Sequence, residues 1–290
     1  MKRIAKTVLP LAAFAITASS ATAATTAYRN LVLGDNPIVY YEFDETGGTT
    51  AANSATTGAT YTGTFNTAGG AVTVGQASFA QGGTAYDFGG GFVASASALT
   101  SSLSEWSVEA WVNYDSAKSS ASNFLSNDQG GWNNDVLIGI GAESGGVGVP
   151  AGSVGGVQQA PPGGPRDFTG SALAADEWHH VVLTASTSAG ALTLYIDGMV
   201  AGTPDTSLVN GVTFNGVGGL GAAPNLTIGA ARPNSADAGY RPYDGLLDEL
   251  AIYDSVLTPA QISAHANFVP EPGSALLLSL GGLMLMRRRR

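Results

Sequence analysis

The sequence of 290 residues contains no cysteine, which limits how the protein is held together. Disulfide bonds and thiol catalysis are excluded, so the folded part of the chain depends on its hydrophobic core or on bound metal. Short catalytic signatures are missing as well: there is no G-x-S-x-G nucleophile elbow, no H-E-x-x-H zinc motif and no phosphate-binding P-loop. These absences argue against the common hydrolase, metalloprotease and nucleotide-dependent classes.

Basic residues are scarce and lie mainly at the two ends of the chain. Of the 12 lysines and arginines, seven are Lys2, Arg3, Lys6 and residues 287–290. The stretch 24–268 keeps five basic and 21 acidic residues, a formal charge of −16. Such a stretch has no nucleic-acid footprint, and it disfavours anionic lipids and polymers. Cations, neutral glycans and basic partners remain as candidates.

The first 23 residues have the composition of a secretory signal peptide. Lys2, Arg3 and Lys6 form a positive segment, an apolar run follows over residues 8–16, and Ala21-Thr22-Ala23 has the small-x-small pattern of a cleavage site. The alternative, a membrane anchor, is disfavoured because the apolar run is short. We therefore expect export and cleavage by signal peptidase near Ala24.

The last 22 residues, 269–290, form a second targeting segment. Pro270-Glu271-Pro272 precedes an apolar run, 275–286, and a terminal arginine cluster. This order resembles a PEP-CTERM sorting signal, and the resemblance implies processing by an exosortase. The apolar run spans only ~18 Å as a helix against the ~30 Å of a bilayer core, which favours transient contact with the membrane. An unprocessed tail anchor is the alternative. Either outcome places the protein at the cell surface or in the extracellular matrix.

Between these ends the chain alternates strands and turns. Apolar, β-branched and aromatic residues alternate with polar ones in several short segments, a pattern typical of half-buried strands. The clearest segments are Ile38–Phe43, Thr84–Val93, Trp106–Asn113, Val136–Ile140, Glu177–Thr184, Leu192–Ala201 and Leu226–Gly229. Asp197-Gly198 predicts a two-residue hairpin turn. The glycine- and proline-rich stretch 145–165 predicts a loop or flap.

The most informative stretch closes this region, over residues 244–265. Strict alternation from Leu246 to Tyr253 would place Asp248 with Leu246 and Leu250 on one face, and both faces are apolar enough for burial. Thr258 suits a helix N-cap, with proline at the next position and a glutamine placed for a capping box. The sequence thus predicts an all-β, two-sheet antiparallel sandwich with one short C-terminal helix.

Several of these segments resemble laminin-G-like domains of the concanavalin A-like lectin/glucanase superfamily. The matching strings are Tyr40-Tyr-Glu-Phe-Asp-Glu45, Ser107-Val-Glu-Ala-Trp-Val112, Trp178-His-His-Val-Val182, Leu192-Thr-Leu-Tyr-Ile-Asp-Gly198 and Asp244-Gly-Leu-Leu-Asp-Glu249. The resemblance implies a jelly-roll sandwich and one domain over 24–268. Lectins and glycosidases both occur in this superfamily, so the resemblance alone leaves the activity open.

The residues argue against glycoside hydrolysis. Jelly-roll glycosidases carry E-x-D-x-x-E on one strand, which places two carboxylates on one face at the distance that retaining chemistry needs. The nearest match begins at Glu42 and Asp44 but has Gly47 where the second glutamate belongs. Trp106 and Trp111 lie in a strongly apolar strand and favour the core over a sugar platform. His179 and His180 point to opposite faces of their strand, which favours structural roles.

Calcium is the cofactor that the resemblance suggests. Members of the superfamily often hold a structural calcium between the end of the first strand and the closing strand, and Asp44 and Asp248 stand at the matching positions. Carboxylate oxygen is the ligand that this hard cation prefers. The alternative is that both carboxylates accept hydrogen bonds from nearby backbone or turns.

A sugar site needs an exposed aromatic ring beside amide or carboxylate groups. Trp132 with Asn133 and Asp135 meets that description, and Tyr240 with Tyr243 is a second candidate. For each, the alternative is a surface loop with a packed ring.

The predicted function is an exported, non-enzymatic surface or matrix protein that binds carbohydrate or extracellular matrix through its laminin-G-like domain. One alternative is a purely structural matrix protein, and another is a divergent jelly-roll glycoside hydrolase.

Overall fold

The computed structural model describes residues 25–80, 83–99, 103–116, 122–127, 136–141, 143–144, 147–148, 152–160, 164–204, 225–231 and 241–268. The expected signal peptide and sorting segment lie outside these residues, as do Trp132, Asn133, Asp135, Tyr240, Pro270, Glu271 and Pro272.

The first sheet is antiparallel, and strands β7 and β18 form its centre. Its strands run in the order β16-β15-β14-β7-β18-β5-β4, with β1 paired to the far end of β18. Their bounds are β1 Val39–Tyr41, β4 Ala71–Ala77, β5 Thr84–Gly89, β7 Glu105–Tyr114, β14 His179–Ser186, β15 Ala191–Ile196, β16 Met199–Val200 and β18 Asp244–Tyr253.

The second sheet is also antiparallel and lies across the core from the first. Its order is β13-β12-β9-β8-β17-β6-β3-β2. Its strands are β2 Thr50–Ala51, β3 Gly63–Asn66, β6 Phe92–Ala98, β8 Ser122–Ser126, β9 Val136–Ile140, β12 Ser153–Ala160, β13 Gly164–Ala172 and β17 Asn225–Ile228. Strands β10 Glu143–Ser144 and β11 Val147–Gly148 form a small separate hairpin, and Gly58–Tyr61 is a 3-10 turn.

The main hydrophobic core fills the space between the two sheets. Its centre is aromatic: the Phe43 ring lies 4.6 Å from Tyr86 and 6.1 Å from Phe88, and Trp106 is fully buried among the same set. Rings of this size contribute much of the burial energy of a sandwich, at about 25 cal/mol per Å² of apolar surface. The predicted two-sheet antiparallel jelly-roll class is confirmed, and so is the core position of Trp106.

A second hydrophobic cluster covers the outer face of the first sheet. It is built by two helices, α1 over residues 25–34 and α2 over Pro259–Ala266, which pack on side chains of β7 and β18. Tyr28 of α1 and Ile262 of α2 are fully buried there. Helix α1 was not expected from the sequence, whereas α2 was. Both hydrophobic clusters are built from residues within 25–268, so this stretch contains the main packing of the described chain.

Alternation holds along β7 and fails along β18. In β7, Val108, Ala110 and Val112 enter the main core, whereas Trp111 joins the helix-covered cluster. In β18 the pairing with β7 shifts between Asp248 and Ala251, so one extra residue is inserted. This β-bulge moves Leu247 and Leu250 to the same core. The strict alternation predicted for Leu246 to Tyr253 is therefore wrong, because a bulge changes which face each following residue occupies.

Local signals at turns and caps were read correctly. Thr258 accepts from the Gln261 N–H and completes a capping box, with Pro259 at the start of α2. Asp197 and Gly198 both have positive φ, as a two-residue hairpin turn requires. The described part of the stretch 145–165 differs from the expected loop, because strands β11 and β12 and the first two residues of β13 lie there. Among the residues that the structure describes, no helix has both the length and the hydropathy for a membrane crossing.

Candidate functional site

Four carboxylates gather where β1 ends beside the bulge of β18. The register pairs Val39 with Ile252, Tyr40 with Ala251 and Tyr41 with Leu250. The residues that follow Tyr41 therefore run alongside those that precede Leu250. This places Glu42, Asp44, Asp248 and Glu249 in one region, which we call the carboxylate cluster.

Asp248 is the most deeply buried member of the carboxylate cluster. Only 1% of its surface is exposed. Its Oδ2 accepts a hydrogen bond of 2.5 Å from the Ser78 hydroxyl, whereas Oδ1 has no hydrogen-bond partner. Burial, reinforced by the negative charges of Asp44 and Glu42, holds the pKa of Asp248 well above its usual range. An orphaned buried carboxylate oxygen is costly, so this atom requires a partner.

Glu249 lies next to it in a strained backbone conformation. Its φ of 51° is in the left-handed region, which non-glycine residues rarely occupy. The Tyr40 hydroxyl donates a short hydrogen bond to Glu249 Oε2. Burial and the charge of Asp248 raise the pKa of Glu249 well above its usual range. The bulge thus orients two adjacent acids that ordinary alternation would have sent to opposite faces.

The β1 side of the cluster is more open. Phe43 also has a left-handed φ, 56°, and Asp44 follows it at the surface. Asp44 Oδ1 accepts a hydrogen bond of 2.8 Å from the Thr84 N–H. Burial of its carboxyl group raises the pKa of Asp44. Glu42 is paired with Arg29 of α1 at 2.8 Å, which offsets one of the four negative charges.

The arrangement offers oxygen donors and excess negative charge, which together suit a hard cation. The structure brings the predicted pair, Asp44 and Asp248, into one cluster, close enough for the charge of Asp44 to raise the pKa of Asp248. Sequence reasoning missed Glu42 and Glu249 as members. Their positions in the sequence could have indicated them, because Glu42 lies two residues before the predicted ligand Asp44 and Glu249 directly follows the predicted ligand Asp248.

Tyr243 is the one sugar-binding candidate that the structure describes, and its placement corrects the prediction. The ring is fully buried and packs edge-on against Phe88 at 6.5 Å and Phe124 at 6.2 Å. A stacking platform needs an exposed ring face, so Tyr243 belongs to the main core. Trp132, Asn133, Asp135 and Tyr240 lie outside the described residues, and their sugar-binding role stays a prediction.

The tryptophans and histidines of the family-like strings are built into the fold. Trp111 is 8% exposed. Its Nε1 donates a hydrogen bond of 2.8 Å to the Tyr28 hydroxyl, and its ring stacks on that of Phe79 with the ring centres 4.0 Å apart. His179 pairs with Asp197 at 2.8 Å, whereas His180 lies on the helix-covered face, 3.2 Å from Glu109. The two histidines lie on opposite faces, as their adjacency in a strand requires.

Together, the fold and these residues define a lectin-type β-sandwich with a carboxylate cluster at one edge of its central strands. A profile of the concanavalin A-like lectin/glucanases superfamily, the Laminin_G_3 family, matches residues 87–263. The chain therefore belongs to this family. Its fold is one that carbohydrate-binding proteins and glycoside hydrolases share.

Solved structures support the fold assignment. Domain 4 of AbnA, a GH43 extracellular arabinanase from Geobacillus stearothermophilus in complex with arabinotriose, matches with a TM-score of 0.54 and 21% identity over 80% of this chain and 98% of that chain. The receptor binding domain of botulinum neurotoxin D matches with a TM-score of 0.55 and 10% identity, covering 81% of this chain and 53% of that chain. This chain thus corresponds to about half of that toxin domain. A search of curated protein sequences finds no significant match.

Proposed function

We propose that this protein is an exported carbohydrate-binding protein of the cell surface or extracellular matrix, without enzymatic activity. The observation that carries the proposal is the match to an arabinanase domain in complex with arabinotriose, which covers 98% of that domain and 80% of this chain. A further similar structure is that of botulinum neurotoxin type C, whose cell entry depends on interaction with two ganglioside molecules. Neutral or mildly polar glycans also suit a domain whose formal charge is −16 over residues 24–268.

The burial of the carboxylates supports a binding role over hydrolysis. A retaining glycosidase needs two carboxyl groups about 5–5.5 Å apart on either side of a reachable glycosidic bond. In the described part of the chain, Asp248 and Glu249 are 1% and 4% exposed, so a sugar ring has no access to them. Glu109 is fully buried beneath α2. These acids serve the fold or a metal instead of a substrate.

We further assign calcium to the carboxylate cluster, with Asp44 and Asp248 as ligands and Glu42 and Glu249 beside them. Three features support the fit: the orphaned Asp248 Oδ1, the raised pKa values of Asp44, Asp248 and Glu249, and an all-oxygen donor set. When bound, the cation would supply the positive charge that these carboxylates lack. It would join the end of β1 to the bulge of β18.

The carbohydrate proposal is tested by a glycan array followed by calorimetry on the chain 24–268. Arabino-oligosaccharides are the first probes, and ganglioside-type oligosaccharides the second. Binding without release of reducing sugar supports the proposal. Saturable hydrolysis that a single carboxylate substitution abolishes would instead identify a divergent glycosidase. Absence of glycan binding together with self-association would favour the purely structural matrix protein.

The calcium assignment is tested by titration and thermal unfolding of the same chain. At a calcium concentration of 100 Kd the native state should gain about 2.7 kcal/mol. Asp248→Asn should abolish this gain, whereas Asp254→Asn, which alters an exposed acid one residue beyond the same strand, should retain it. No heat and no shift in the wild type would remove calcium from the proposal and leave the carbohydrate test unaffected.

Export and sorting complete the proposal. Signal peptidase is expected to cleave near Ala24, and an exosortase is expected to recognise Pro270-Glu271-Pro272. Mass spectrometry of the protein recovered from its host would show both new ends. A recovered chain that retains the terminal arginines would identify the tail as a membrane anchor.

A further inference from the structure

A second cluster of ligand-type side chains lies beneath helix α2, separate from the carboxylate cluster. It consists of Glu109 from β7, His180 from β14 and His265 from α2, and we call it the histidine cluster. All three side chains are fully buried. Glu109 Oε2 lies 2.8 Å from His265 Nδ1 and 3.2 Å from His180 Nε2, and the three atoms lie within 4.8 Å of one another. Elements distant in sequence thus converge on one point.

We infer that Glu109, His180 and His265 form a binding site for a divalent transition metal, with zinc the best fit. Two imidazole nitrogens and one carboxylate oxygen are a ligand set that zinc uses in proteins. The hard cation assigned to the carboxylate cluster prefers oxygen alone, so the two sites select different metals. This inference is independent of the proposed carbohydrate binding.

Outer contacts hold the ligand groups in place. The Tyr253 hydroxyl donates to Glu109 Oε1, which leaves Oε2 for the two imidazoles. His265 Nε2 lies 3.1 Å from Asp35 Oδ2, close enough for an ion pair although not aligned as a hydrogen bond. A carboxylate beside the outer nitrogen of a ligating histidine is a recurrent support of metal sites. His180 is held in place through its backbone N–H, which donates a hydrogen bond of 2.9 Å to Asp197 Oδ1.

The charges around the histidine cluster also match a divalent ion. Burial alone would raise the pKa of Glu109, but the charge of His265 and hydrogen bonds from both histidines outweigh burial and lower the pKa to about 2. A carboxylate binds metal in its ionised form, and a divalent ion between the two imidazoles would stabilise that form of Glu109 in place of a proton on His265. Together with Asp35, Glu109 provides two negative charges. One divalent ion with two neutral imidazoles balances them.

The metal-free state of the same groups is the competing arrangement. Burial would lower the pKa of His265, but Glu109 and Asp35 raise it, so a proton on His265 could take the place of the ion. His180 Nδ1 is buried and without a hydrogen-bond partner in the structure. Because α2 closes over the cluster, a metal would enter as the chain folds. The experiment must therefore include refolding with and without metal.

The test uses the fact that the whole chain has only three histidines. The chain 24–268, without a histidine tag and labelled with ¹⁵N, is unfolded with a chelator present and refolded with one equivalent of Zn²⁺ or with chelator. Long-range ¹H–¹⁵N spectra then report each imidazole. We expect the His180 and His265 signals to shift with zinc and the His179 signal to stay. Refolding with Co²⁺ should give visible absorption bands, and gel filtration should retain one metal per chain.

Matched variants separate this site from others. Glu109→Gln and His265→Gln should lose the retained metal, whereas His179→Gln, a neighbour paired with Asp197, should keep it. Asp248→Asn should keep it too, because the carboxylate cluster is a different site. If the buried variants fail to refold, anomalous diffraction at the zinc edge on the wild type decides. A peak between the three side chains supports the inference. A protein that retains no metal, or one in which only His179 shifts, overturns it.

Discussion

Tyr28 offers a direct test of whether helix α1 is part of the domain. The side chain is fully buried, with its ring edge-on to Phe79 at 5.0 Å and to Phe268 at 5.2 Å. Its hydroxyl accepts a hydrogen bond of 2.8 Å from Trp111 Nε1. Two substitutions separate these contributions: Tyr28→Phe removes only the acceptor, and Tyr28→Ala removes the ring as well.

The structure sets the size of each effect. Tyr28→Phe leaves the buried Trp111 N–H without a partner, which costs about 1–3 kcal/mol. Tyr28→Ala also opens a cavity, and loss of a buried aromatic ring costs about 3–5 kcal/mol. For a domain of this size each kcal/mol corresponds to roughly 2–4 °C in Tm. The expected decreases are therefore roughly 2–12 °C for phenylalanine and roughly 6–20 °C for alanine.

The assay is thermal and urea unfolding of the chain 24–268, with Asn30→Ala as the control. Asn30 lies on the same helix with its side chain exposed, so its substitution should change the free energy of unfolding by less than about 0.5 kcal/mol. Wild-type stability in Tyr28→Ala would refute the reasoning, because it would mean that α1 contributes nothing to the second hydrophobic cluster.

Three further predictions concern other parts of the fold. Gly229→Ala should lower the free energy of unfolding by about 1–3 kcal/mol, because a Cβ would lie 2.2 Å from Phe88. Gly47→Ala, where a Cβ would meet open space, is the control. Equal urea midpoints for the two variants would contradict the predicted clash between residue 229 and Phe88. Thr258→Ala should cost about 1 kcal/mol by loss of the α2 cap, with an unchanged m-value in urea unfolding; a midpoint like that of the wild type would contradict it. In chelator, Asp248→Asn should unfold at the wild-type temperature or above, because it removes a buried carboxylate that neighbouring charges repel, and a clearly lower Tm would contradict that assignment.

The architecture could be predicted because its signals are local. Strand alternation, the Asp197-Gly198 turn and the Thr258 cap each depend on a few adjacent residues. The bulge in β18 could not be predicted, since it depends on how β18 pairs with β7 and on a left-handed Glu249 that no propensity favours. This one inserted residue decides which side chains accompany Asp248.

Helix α1 was missed although a weak signal was present. Tyr28 and Val32 are four residues apart, and Gly34 stands at the end of the helix. A helix of ten residues is marginal without tertiary contacts, so this local pattern alone does not predict it. Its stability comes from packing against Trp111 and Phe79, which only the folded sheet provides.

The histidine cluster was hidden from sequence reasoning for a different reason. His180 was correctly placed on the face opposite His179, and a structural role followed from that. Its partners Glu109 and His265 lie 71 residues before it and in the last helix, so no spacing motif links them. Pairing of β7 with β14 places Glu109 opposite Val182, two residues beyond His180 on the same face, and α2 then brings His265 over both.

The two candidate metal sites are connected through the segment that precedes the family-matched range 87–263. Arg29 of α1 pairs with Glu42 in the carboxylate cluster, and Asp35, immediately after α1, contacts His265 in the histidine cluster. Glu42 and Asp44 belong to the same early segment. The family-matched range alone contains Asp248, Glu249, Glu109 and His180, but it lacks His265, two residues beyond its end, and the charges of the early segment. The early segment supplies those charges, so shortening the chain at its start should weaken both sites together even though neither central strand is altered.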